Sequence, residues 1–171
     1  MQPIIFVDLD GVLVNLAAGL SKVVGEEISA LDSTKFRKHY YHLVASLNHD
    51  DLIEFWANLP PMPDYMKLWN SLKDLQPLIL TAVTNSMASC EGKKKWAEKY
   101  LKISPDRVFC AAKSKDKQSY ASNNSILIDD YDKNIQQFKE KGGYGILHTR
   151  TSKTLKELNT ILKQWNLKVG K

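Results

Sequence analysis

Five short runs of the chain are predominantly apolar: 4–8 (IIFVD), 78–81 (LILT), 107–110 (RVFC), 126–129 (ILID) and 144–148 (YGILH). Between the later runs, apolar positions recur with the period of a helix. Residues 87–101 are amphipathic, 132–141 lead into Gly142-Gly143 where a helix C-cap belongs, and 151–165 carry Leu155, Leu158, Ile161, Leu162 and Trp165 on one stripe. Strands that are apolar on both faces and separated by helices predict an α/β fold with a parallel, Rossmann-like sheet flanked by helices. Such a sheet offers its ligand site at the carboxyl ends of its strands, so the strand-terminal residues are the ones to read for chemistry.

The alternation breaks once. Over 16–75 no strand pattern occurs; 16–24, 33–47 and 50–56 read as helices, Pro60-Pro61-Met62-Pro63 punctuates the chain, and a further helix runs to about 75. This interval is far too long for a crossover connection. It predicts a small helical cap inserted after the first strand, with 1–15 and 76–171 forming the core and 16–75 the cap and return helix.

Composition narrows the class. The chain has 171 residues, 43% hydrophobic and 25% charged, enough for one domain plus an elaboration. No uninterrupted apolar stretch is long enough to span a membrane. Met1-Gln2-Pro3 leads into the first strand without a basic-then-apolar leader, so a cytoplasmic location is expected. Cys90 and Cys110 make no disulfide framework and lack metal-ligand spacing to His39, His42, His49 or His148; they read as idle or buried thiols in a reducing compartment. The net charge of +5 is spread along helices, as in Lys93-Lys94-Lys95 and Lys153, Lys156, Lys163, and reads as solvated helix faces rather than a nucleic-acid surface. It also favours approach of a phosphorylated small molecule.

The strand ends supply Asp8 and Asp10, then Thr81, then Asp129-Asp130. Four carboxylates thus converge on one edge of the sheet. At ~5 Å and an effective dielectric of ~20, each like-charge pair costs about 3 kcal/mol, a large part of a domain's net stability. A divalent cation relieves that repulsion, and oxygen-only ligands select a hard ion such as Mg²⁺.

Asp-x-Asp-Gly-Val after the first strand, Thr at the end of the second, a lysine, and Asp-Asp after an apolar strand resemble the four ordered motifs of the haloacid dehalogenase-like (HAD) phosphohydrolases, over nearly the whole chain. The long insertion after the first motif resembles their first-position cap. "FWANLPPMPDYMKLW", "KKWAEKYL" and "KDKQSYASNNSILIDDYDKNI" are similar to stretches of the 5′(3′)-deoxyribonucleotidases and related small phage and bacterial proteins.

The resemblance implies a Mg²⁺-dependent phosphomonoesterase acting on nucleoside monophosphates. Asp8 would be the nucleophile, Asp10 the general acid and base, and Thr81 with the backbone at Ala82 the phosphate-binding group. Asp8, Asp129 and the backbone carbonyl of Asp10 would hold the metal, with Asp130 behind them. Lys117 best matches the motif lysine through Lys-x-x-Tyr-Ala, with Lys113 and Lys115 as alternatives because the spacing to the acidic pair runs a residue or two long. Phe55 and Trp56 would either stack on a nucleobase or pack inside the cap, packing being the ordinary role. Asn85 and Ser86 read as helix caps, and Asp129-Asp130 could equally cap the helix near Asp132. Two rival readings stay open: another phosphomonoester or a nucleic-acid phosphate end as substrate, and a receiver-like phospho-acceptor domain. The sequence leaves the oligomeric state open.

Overall fold

A computed structural model describes residues 2–30, 32–83 and 86–170. Five strands, β1 (Ile4–Val7), β2 (Leu78–Ala82), β3 (Val108–Ala111), β4 (Ser125–Asp129) and β5 (Tyr144–Leu147), form one parallel sheet in the order β3-β2-β1-β4-β5. β1 and β4 hold the centre because their side chains are apolar on both faces: Ile5, Val7, Ile126, Leu127 and Ile128 are buried. Helices α5 (Met87–Leu101) and α6 (Asp132–Glu140) carry the later crossovers with two short 3₁₀ turns, one of them Ser114–Tyr120, and α7 (Thr151–Leu162) follows β5. The α6 pattern ends one position earlier than the glycine pair suggests, with Lys141 at the C-cap and Gly142 taking the left-handed conformation just beyond it (φ +87°).

Between β1 and β2 lie α1 (Leu16–Val24), α2 (Ser33–Ser46), α3 (His49–Ala57) and α4 (Tyr65–Leu72). The two ends of this insertion are stitched together: Asn15 N–H donates to the Pro60 carbonyl and Met62 N–H to the Leu13 carbonyl, both at 2.8 Å. α3 lies against α5 at Gly92, where a Cβ would come within 2.5 Å of both the Ile53 carbonyl oxygen and the Trp56 Cβ. Trp96 Nε1 donates to the Leu59 carbonyl at 2.9 Å along the same seam. Among the described residues no helix is long and apolar enough to cross a membrane.

Two sequence expectations fail here. Cys90 and Cys110 are not idle thiols: they form a disulfide, with Cα atoms 5.9 Å apart. The cause is register. Thr81 pairs with Cys110 across β2 and β3, and α5 turns back over that edge, setting its first turns above Cys110. Closing a loop of about 20 residues stabilises by about 3 kcal/mol in the chain-entropy account. Lys93 is not on a solvated face either; it is 2% exposed. The buried side of α5 comprises Ala88, Ser89, Gly92, Lys93, Trp96, Ala97 and Leu101, so Lys93 falls in the Ser89–Ala97 row that faces the sheet.

Candidate active site

The strand β1 feeds a tight turn in which the Leu9 carbonyl accepts from the N–H groups of Val12, Leu13 and Val14. Gly11 takes the left-handed conformation there (φ +77°), and any side chain on it would collide with the Asp130 carboxylate. The pairing of Val7 with Ile128 brings the next residues, Asp8 and Asp129, side by side at the sheet edge. Asp8, Asp10, Ala82, Lys117, Asp129 and Asp130 border one cavity of about 460 Å³. Thr81, fully buried, lies behind it and is reached by the amine of Lys93.

Lys117 is buried between two carboxylates, 2.9 Å from Asp8 Oδ1 and 2.6 Å from Asp129 Oδ2. Lys113 and Lys115 point to solvent. Asp129 Oδ1 also accepts from the Tyr131 N–H at 2.9 Å, and its Oδ2 from Asn134 Nδ2 at 3.0 Å; it thus steadies the approach to α6 while serving the cavity, but Tyr131, not Asp129, occupies the N-cap. Ser114 Oγ in turn holds Asn134 Oδ1 at 2.8 Å. Asp10 Oδ2 accepts from Lys93 Nζ at 2.6 Å.

Neither Phe55 nor Trp56 borders the cavity; Trp56 is 2% exposed and both pack among apolar neighbours. Phe36 of α2 and Met62 line the apolar wall instead, with Leu16 and Ala17. Ser86 caps α5 by accepting from the Ser89 N–H at 3.1 Å, while Asn85 lies outside the described residues. Lys93, Asn134, Ser114 and Phe36 are the participants that motif reading passes over. Only Lys93 carries a signal, its four-residue spacing from Ser89 and Ala97.

Electrostatics follow from crowding. Burial, then the Asp8 charge, raises the pKa of Asp129, with Lys117 opposing. Burial also raises Asp10, against the pull of Lys93. Asp130 stands at the solvent-open rim, yet desolvation and the charges of Asp8, Asp129 and Asp10 push it up to about 7. Burial pulls Lys117 down, but Asp8 and Asp129 outweigh it and hold it above the ordinary lysine value.

The donor set fits a hard divalent cation. Carboxylate oxygens of Asp8, Asp129 and Asp130 lie within 4.8 Å of one another, and no His or Cys joins them among the described residues. Asp10 Oδ1 is buried with no hydrogen-bond partner.

Carboxyl groups with raised values bind protons more readily folded than unfolded. Their stabilising contribution is complete below the ordinary value near 3.8 and is lost as pH climbs through the raised one, about 7 for Asp130. The metal-free protein therefore carries growing repulsion between pH 4 and 7. The rise in Tm on adding Mg²⁺ in place of EDTA is expected to be small at pH 5. By pH 7.5 it should reach roughly 5–10 °C at ~100-fold excess over Kd. Thermal unfolding at both pH values measures this, and an equal or larger gain at pH 5 contradicts it.

A central parallel sheet with acids at the ends of β1 and β4, a threonine at the end of β2 and a buried lysine between the acids is the frame of a HAD-type hydrolase. The fold agrees with solved structures. A phosphoserine phosphatase in apo form matches with TM-score 0.55 at 13% identity, covering 95% of this chain and 98% of that one. A HAD phosphatase from Thermococcus onnurineus matches with TM-score 0.51 at 14% identity, covering 95% and 98%. A hydrolase from Pseudomonas syringae gives TM-score 0.50 at 10% identity, covering 85% and 84%. Within that class, the chain belongs to the 5′ nucleotidase, deoxy (Pyrimidine), cytosolic type C protein family, which it matches over residues 2–165. It is a phosphoric monoester hydrolase, and the receiver-domain reading is set aside. No curated protein sequence matches the chain.

Proposed function

We propose that this hydrolase is a Mg²⁺-dependent nucleotidase that releases phosphate from nucleoside monophosphates, deoxyribonucleotides in particular, through an aspartyl-phosphate on Asp8. The observation that carries this reading is one cavity with two chemistries: a carboxylate-and-lysine floor at Asp8, Asp129 and Lys117, and an apolar wall at Phe36, Leu16 and Met62. The floor suits a phosphate and the wall a flat base. In this reading residues 16–75 are the cap over a core formed by 1–15 and 76–171.

Asp8 attacks phosphorus; as a carboxylate it needs no base to activate it. Asp10 gives its proton to the departing sugar oxygen, then takes one from the water that opens the aspartyl-phosphate. Its raised pKa suits a group that must hold a proton before the first step. Lys117 neutralises charge on the phosphoryl oxygens, and the Thr81 hydroxyl and Ala82 backbone shape their binding edge. Asp8, Asp129, Asp130 and the Asp10 carbonyl would hold Mg²⁺, which supplies positive charge against the phosphoryl group when bound.

The test is a phosphate-release profile over deoxy- and ribonucleoside monophosphates, sugar phosphates, phosphoserine and 5′-phosphorylated oligonucleotides, each with Mg²⁺ and with EDTA. Deoxyribonucleotides are expected to lead by kcat/KM at least about tenfold, with activity lost in EDTA. Preference for a non-nucleotide ester or for oligonucleotide ends defeats the substrate assignment. Full activity in EDTA defeats the metal assignment.

A further inference from the structure

Lys93 spends its whole donor capacity on the protein. Its Nζ donates to Asp10 Oδ2 (2.6 Å), the Ala82 carbonyl (2.6 Å) and Thr81 Oγ1 (3.0 Å), which accounts for the three N–H bonds of an ammonium group. It does not border the cavity, whereas Lys117 does. Among the described residues no other side chain hydrogen-bonds the Asp10 carboxylate, whose Oδ1 has no partner. The same amine lies 4.5 Å from the centre of the Trp56 ring, and Trp56 belongs to α3, outside the sheet core.

We propose that Lys93 is the positioning residue for Asp10, and that through Trp56 it makes the orientation of that carboxylate depend on the seating of α3. The inference rests on the reading of Asp10 as acid and base given above. Asp10 sits on a turn after β1, and among the described residues no backbone group hydrogen-bonds its carboxylate. Lys93 holds Oδ2, which sets how the carboxylate of Asp10 is presented to the cavity it borders. By binding Thr81 and Ala82 at the same time, it fixes Asp10 relative to the end of β2. The Trp56 face supports the amine from the other side, a favourable contact for a desolvated cation. The missing side chain at Gly92 allows this, since it brings Trp56 Cβ against α5 one residue from Lys93.

Such a residue supports proton transfer without binding phosphate, which separates its signature from a structural or a binding role. In Lys93→Met, kcat on thymidine 5′-monophosphate is expected to fall about fiftyfold with KM changed by less than about threefold. Affinity for beryllofluoride with Mg²⁺, read by tryptophan fluorescence, stays within about threefold of the wild type, because the Asp8, Lys117 and Asp129 floor of the phosphoryl site makes no contact with Lys93. With p-nitrophenyl phosphate, whose leaving group needs no proton, the variant still gives a burst of phosphoenzyme followed by slow turnover. Lys93→Arg recovers kcat to within about tenfold, and Trp56→Phe, which keeps a ring under the amine, loses about threefold in kcat alone.

An unchanged kcat in Lys93→Met overturns the proposal. So does a loss of beryllofluoride affinity matching the loss of kcat, which would make Lys93 a phosphate ligand. If Lys93→Met does not fold, Lys93→Arg and Trp56→Phe decide: kcat losses at constant KM support the proposal, and changes in KM alone overturn it. Failure of the underlying mechanism looks different, for then acid quench of the wild-type protein after mixing with p-nitrophenyl phosphate traps no phosphoryl group on the protein.

Discussion

Asp8→Asn is expected to reduce phosphate release from any monoester by roughly 10,000-fold or more, because an amide has no charge with which to attack phosphorus. The substitution nearly conserves shape, and Asp8 is 5% exposed in a pocket already crowded with like charge. Removing that charge also eases repulsion on Asp129, Asp130 and Asp10, each of which feels Asp8. The variant should therefore fold while losing its chemistry. Acid quench after mixing with substrate checks both points: the wild type yields a protein-bound phosphoryl group and Asp8→Asn yields none. Substantial turnover by the variant rules out Asp8 as the nucleophile.

Lys117→Met is expected to damage stability and activity separately. Without the ammonium group, Asp8 and Asp129 face each other uncompensated. Breaking a buried ion pair from one side costs about 3–5 kcal/mol, roughly 10 °C in Tm for a domain of this size. Lys117 has a raised pKa, so its contribution is complete below the ordinary lysine value and is lost only as pH rises through the raised one. Lys117 itself therefore stays charged from pH 6 to pH 9, but it also holds down the pKa values of Asp129 and Asp130, so the Tm deficit in EDTA is expected to grow across that range as the uncompensated carboxyl groups lose their protons. Mg²⁺ should restore most of the stability, since it too neutralises the carboxylates, yet kcat should stay down about 100- to 1,000-fold for want of charge on the phosphoryl oxygens. Thermal scans and single-turnover kinetics on one preparation separate the two effects. A variant as stable as the wild type in EDTA would show that Lys117 does not hold the carboxylates together.

Much of this site was legible because strand ends are both a sequence feature and a spatial one. Apolar runs stopping at Asp8, Thr81 and Asp129 necessarily stop at the same edge of a parallel sheet, and the register then sets Asp8 beside Asp129. Lys117 could be singled out from three lysines by its motif; burial between two carboxylates is what distinguishes it physically. The insertion was harder. Phe36, not Phe55 or Trp56, meets the cavity, because which face of each short helix turns inward depends on how α2 and α3 cross, and local periodicity does not encode that crossing. Lys93 was hidden by its neighbours: a triple lysine looks like a wet face unless the stripe Ser89, Lys93, Ala97 is weighed above composition. The disulfide depends on strand register and helix return, two long-range facts, so a spacing of 20 residues announces nothing.

The seam at Gly92 also sets where this enzyme's selectivity can be re-engineered. α3 and α5 approach so closely there that even a methyl group would push the backbones apart. Swapping the whole insertion for that of a relative would therefore demand a matched α5, and a mismatched graft would wedge the two helices open. Residues 16–46 carry no such constraint at Gly92, yet they supply Leu16, Ala17 and Phe36 to the cavity wall. Directed evolution toward new phosphate esters should concentrate its libraries in that limb and leave the α3–α5 weld untouched.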